Sequence, residues 1–166
     1  LFRKLLIERE LRLEQDSSYL YGHRICFFSA WHLALIAKTI HELAMEHIIY
    51  RDSRRLGTHW FKKLVLDRKI KNTLDEVTIS GSEVIALAGW GTIYIEEFDV
   101  KNKRITASVK GSVVAEQFLE NFGKSSYHVC NMLRGYFTGS LAVPLMESEL
   151  EGIETKCKAM GFNECV

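Results

Sequence analysis

Proline is nearly missing from this chain, which has a single one, Pro144, in 166 residues. No apolar run approaches the ~20 residues that a bilayer span needs. A charged start followed by an apolar middle and a small-residue cleavage site is also absent from the N-terminus. Both absences point to a cytoplasmic protein. Charge of one sign is lacking too: 22 Lys+Arg face 21 Asp+Glu, so no global field draws the chain to nucleic acid or to an anionic membrane. The local basic residues Arg51, Arg54, Arg55, Lys62 and Lys63 read as the solvated face of a helical region. Repeats, low-complexity stretches and linkers are missing, which leaves one domain over residues 1–166, with residues 1–28 as an N-terminal extension.

Signatures of several chemistries are missing as well. His41, Glu42 and His47 do not form a zincin site, because that motif needs its histidines four apart on one helical face and these are six apart. Gly89 and Gly91 around Trp90 lack the third glycine and the buried strand of a dinucleotide loop. No phosphate loop, nucleophile elbow or kinase signature occurs, and neither does a helix-turn-helix or an ATPase segment.

What the chain does have is 47% hydrophobic residues in patterned segments, enough for a genuine core. Helical spacing predicts a first helix over residues 1–13. A long amphipathic helix is expected over residues 29–50, with Leu33, Ile36, Ile40, Leu43 and Ile48 on one stripe. Gly57 then breaks the pattern, and Trp60, Phe61, Leu64 and Val65 form the face of another helix ending near Ile70. Residues 73–88 carry β-branched residues but fit a helical face, and helix is the reading adopted. After Gly91 the period becomes two, so Ile93 and Ile95 on one strand and Ile105, Ala107 and Val109 on the next make an antiparallel hairpin turning at residues 99–103. A short helix over residues 113–121 follows, then a longer one from Ser125 or Ser126 to about Leu141, ended by Pro144. Residues 149–155 and the piece at Cys165 read as strands joined by a turn at Gly161. The fold class expected is α+β, with helices packed against a twisted antiparallel sheet and a zinc-clasped C-terminal hairpin.

The cysteines carry the chemistry. In a reducing compartment the chain's four cysteines point to metal or free thiols before disulfides. Cys130 sits alone, and Glu154, Cys157 and Cys165 form an ExxCx7C run whose seven intervening residues let Cys165 return towards Cys157. Three thiolates and a carboxylate meeting at one point make a closed zinc site of the structural kind, and its charge needs cations such as Arg134, Lys156 and Lys158 nearby. The alternative is that these cysteines are small buried hydrophobes, as Cys26 beside Phe27 and Phe28 is taken to be.

Residues Cys130, Gly135, Gly139, Glu154, Thr155, Lys156, Cys157, Gly161 and Cys165 resemble the closing part of the 4-vinyl reductase domain family. Gly89, Trp90, Gly91 and Ser112 are similar to the same pattern, which spans roughly residues 30–166. The resemblance implies Cys130, Glu154, Cys157 and Cys165 as ligands of a structural zinc, as in the related domain of phenol-sensing regulators. It also implies a small hydrophobic ligand and a homodimer. Vesicle-tethering subunits in the same superfamily use the fold to dimerise.

Trp60, Phe61, Trp90, Tyr127, Tyr136 and Phe137 supply aromatic walls for a ligand if they converge, and ordinary core if they do not. The pair Gly135 and Gly139 lets another backbone approach, read here as an internal helix contact in preference to a dimer seam. With no nicotinamide or flavin site recognisable, a non-enzymatic sensory or carrier role is expected. A dimerising scaffold and an accessory component of a vinyl reductase are the alternatives.

Overall fold

The structure, a computed structural model, describes residues 11–13, 18–20, 23–25, 29–67, 69–99, 102, 104–147 and 149–166. Cys26 lies outside them, as do residues 1–10 of the first expected helix. Where that expected helix is described it is a strand instead: β1 (Leu11–Leu13) pairs antiparallel with β2 (Ser18–Leu20), and β2 with β3 (His23–Ile25). Cross-strand pairing wins because Arg12 stands opposite Tyr19 and its guanidinium covers that ring at 4.9 Å, whereas a short isolated helix is marginal.

Ser29 caps α1 (Ala30–Glu42) by accepting the His32 N–H at 3.3 Å. The single helix expected over residues 29–50 is broken here. Ala44 turns left-handed at φ 52°, and α2 (Glu46–Leu66) starts afresh. The two helices serve different neighbours, α1 packing on α4 (Val113–Phe122) and α2 on α5 (Asn131–Leu145), so one straight rod could not satisfy both apolar faces.

Gly57, expected to interrupt a helix, lies inside α2. A Cβ there would overlap the Tyr136 carbonyl oxygen on α5, and Cβ atoms at Gly135 and Gly139 would overlap the carbonyl oxygens of Tyr50 and Arg54. The glycines therefore let two helix backbones touch within the chain, and Thr58 Oγ1 donates to the Gly139 carbonyl at 3.0 Å across the contact.

The ambiguous segment is helix α3 (Leu74–Leu87), capped by Thr73. The expected hairpin forms from β4 (Thr92–Asp99) and β5 (Arg104–Lys110), with a bulge between Ile95 and Glu97 and Asp99 accepting the Asn102 N–H at 2.9 Å in the turn. α5 begins at Asn131, later than expected. Ser125 is instead engaged in a tight turn with Tyr127, and its N–H donates to the Ala159 carbonyl at 2.8 Å. Pro144 does not stop the helix at once but lies in its last turn, and Met146 closes it at φ 53°.

No regular strand forms at residues 149–155, yet the expected return of the chain is present. Val166 pairs with Lys156, its N–H donating to the Lys156 carbonyl at 2.9 Å, and Cys165 bridges antiparallel to Val109 on β5. A 3₁₀ turn, Lys158–Met160, and Gly161 at φ 99° make the bend between them.

Among the described residues, two clusters form the core. One, around Phe118 and Leu33, contains Cys130, Cys157 and Cys165, and the other surrounds Phe61, Leu64 and Tyr136. Trp90 and Val109 pack against both.

Candidate metal centre and adjoining cleft

Each of the chain's converging donors comes from a different local device. Cys130 is the residue before α5, so its sulfur lies at the partially positive end of that helix. Ser112, which opens α4, places its Oγ 3.2 Å from the Cys130 Sγ. Cys157 precedes the 3₁₀ turn and Cys165 follows the Gly161 bend, where it accepts the Lys158 backbone N–H at 3.3 Å. Glu154 lies within the irregular stretch that reaches Cys157.

The ligand atoms of Cys130, Glu154, Cys157 and Cys165 all lie within 4.8 Å of one another, and all four residues are buried. The sulfurs of Cys130 and Cys165 are 3.6 Å apart, and these three cysteines are free thiols. Neither oxygen of the Glu154 carboxylate has a hydrogen-bond partner. A buried carboxylate without a donor is costly, so small buried hydrophobes alone do not account for this cluster. A divalent ion among three sulfurs and one oxygen would satisfy both carboxylate and thiolates, and that donor set suits a closed tetrahedral site.

Protonation without an ion follows from crowding. Burial, then the neighbouring Cys157, pushes the Glu154 carboxyl up to about 8. Interaction with Cys157 and Cys165, reinforced by burial, pushes the Cys130 thiol well up. Cys165 goes the other way, to about 4, because Cys130, Cys157 and the Lys158 N–H all favour its thiolate. The metal-free cluster thus keeps protons on Glu154 and Cys130 while Cys165 carries negative charge.

Of the expected counter-cations, Arg134 favours the charged form of Glu154, while donating to Asn131 Oδ1 at 2.8 Å and covering the Tyr50 ring at 4.4 Å. The Lys158 ammonium is committed to Glu116, and Lys156 is exposed.

A cleft of about 460 Å³ opens beside the cluster. Its walls are the inward face of the hairpin (Ile93, Ile105, Ala107, Val109), the stripe of α5 (Leu133, Phe137, Leu141) and residues 150–155. Cys130, Glu154 and Cys165 border it too, whereas Cys157 does not. Among the aromatic residues considered for a ligand, Phe137 lines this cleft. Trp60 and Phe61 pack in the second core cluster together with Tyr136, Trp90 spans both clusters, and Tyr127 stacks on His41 with ring centroids 3.3 Å apart. The aliphatic walls were missed as ligand contacts because an inward strand face and an apolar helix stripe look the same in sequence whether or not a gap separates them.

No protein-family model matches the chain, and no curated protein does. Among solved structures, the crystal structure of the phenol-responsive sensory domain of the transcription activator PoxR with phenol is similar. Its TM-score is 0.76 at 16% sequence identity, over 99% of this chain and 87% of that one. At that identity the likeness speaks for the fold.

Proposed function

We propose that this chain is a zinc-stabilised domain that binds a small hydrophobic ligand in a sensory or carrier role. Cys130, Glu154, Cys157 and Cys165 hold the ion. The observation that carries this reading is the adjacency of an apolar cleft of about 460 Å³ to a buried cluster of three thiols and a partnerless carboxylate. That volume is in the range of small-molecule sites, and the lining is mainly apolar with Arg104, Thr106, Arg134 and Thr138 among its polar members, which favours a hydrophobic ligand with a small polar group. A scaffold without a ligand would call for a filled interior. The likeness to a sensory domain solved with phenol supports the binding reading.

Four protein donors leave no open position, so the ion supplies stability and no reaction. The chain's own groups do the rest. The Lys158 N–H and the Ser112 hydroxyl hold two of the sulfurs, and Arg134 offsets the negative charge. Phe137 and the aliphatic walls offer the apolar surface against which the ligand packs. A homodimer belongs to the proposal, supported by the exposed apolar side chains Tyr94, Ile95 and Phe98 on the hairpin. Among the described residues no helix is long and apolar enough to cross a membrane.

Elemental analysis of the purified chain, with organic extraction and mass spectrometry of what it carries, tests both halves. One zinc per chain and a co-purified or titratable apolar molecule are expected. No stoichiometric metal would sink the first half, and no binding of phenol or any larger apolar probe the second.

A further inference from the structure

Cys130 and Cys165 differ from Cys157 in what surrounds them. Their sulfurs are 3.6 Å apart and both residues border the cleft, whereas Cys157, fully buried within the same cluster, does not border it. The cleft is far larger than a hydrogen peroxide molecule, and it brings solvent up to these two buried residues.

We propose that Cys130 and Cys165 form an oxidation site reached through the cleft, at which hydrogen peroxide joins the two sulfurs as a disulfide. The metal, having lost two of its four donors, then leaves. A molecule filling the cleft slows the reaction. Only the release step rests on the metal reading above.

The chemistry balances. One thiolate attacks the peroxide O–O bond, an S–O bond forms as that bond breaks, and the departing hydroxide takes a proton to become water. The second thiol then displaces the sulfenic oxygen, which leaves as a second water, so two sulfurs give up two electrons and one peroxide accepts them. Closing 3.6 Å to the bond length of about 2.05 Å needs a small shift. Cys165 lies on an irregular segment held to β5 through its own pairing with Val109, so that shift breaks no regular element. The Lys158 N–H on the Cys165 sulfur and the Ser112 hydroxyl beside the Cys130 sulfur stabilise negative charge during the exchange.

The experiment treats the metal-loaded full chain with hydrogen peroxide. Metal release is followed with a chromophoric chelator, and the product by intact mass and a non-reducing peptide map. A loss of about 2 Da with the Cys130 and Cys165 peptides linked is expected. Ala107→Phe on the hairpin wall and, independently, Leu141→Phe on the helix wall narrow the cleft without touching the four donors. Each is expected to slow release at least about fivefold with metal stoichiometry unchanged, because access limits attack on a buried thiolate. Linkage through Cys157, or equal rates in both metal-loaded variants, would overturn the proposal. If the purified chain binds no metal, the metal reading fails, and the same mass and peptide map on the metal-free chain still decide the disulfide.

Discussion

The Tyr50 hydroxyl on α2 accepts the Gly152 N–H at 2.8 Å and donates to Glu151 at 2.9 Å, fastening the irregular wall of the cleft to a helix. Tyr50→Phe removes both bonds and leaves the part-buried Gly152 N–H without this acceptor, at an expected cost of about 1–2 kcal/mol. Hydrogen exchange at residues 150–153 is expected to accelerate and an apolar ligand to dissociate faster, with metal content unchanged. Unaltered exchange there would remove Tyr50 from the role of fastener.

Gly139→Ala places a methyl group on the Arg54 carbonyl oxygen, where only backbone can give way. Overpacking of this kind costs about 3 kcal/mol, and the α2–α5 contact is expected to loosen. Urea denaturation reads the loss as a lower midpoint at constant slope. A stability equal to that of the parent chain would mean that the helices separate freely.

Cys157→Ser removes the most deeply buried of the sulfurs. Metal stoichiometry should fall from one to zero. Structural zinc in small peptides is worth on the order of 10 kcal/mol of apparent binding, so a large drop in melting temperature and fast exchange over residues 155–166 are expected. Retention of one tightly held ion would show that Cys157 is not a ligand.

Metal affinity should rise with pH. Glu154 and Cys130 hold protons in the metal-free chain and must release them, so each adds about tenfold in affinity per pH unit while it is still protonated. Chelator competition at pH 6, 7 and 8 measures the slope. A flat response would mean that the donors are already ionised.

The stability of the metal-free chain carries a second pH signature. The folded pKa of Glu154, about 8, lies above its ordinary 4.5, so its contribution is full below 4.5 and is lost as pH rises towards 8. Cys165, lowered from 9 to about 4, contributes in the opposite sense, gaining from pH 4 upward. Between pH 5 and 8 the two oppose each other and the parent curve is expected to be nearly flat. Glu154→Gln removes the falling part, so its stability should climb with pH, and a variant curve parallel to the parent's would refute the protonated carboxyl.

The sequence by itself determined the local devices. The stripe of Leu33 and Ile36 winds as helix, the alternation through Ile93 and Val109 pairs as a hairpin, and the spacing of Glu154, Cys157 and Cys165 suits a returning loop. These follow from hydrogen-bonding capacity and side-chain period, which act over a few residues. Tertiary structure decided everything that depends on a distant partner. Gly57 reads as a helix breaker until α5 lies against it, and residues 29–50 read as one helix until α1 and α2 must face different neighbours. The gap between the hairpin and α5 is set by how far apart two well-patterned apolar faces are held, and no residue type along either one encodes that distance.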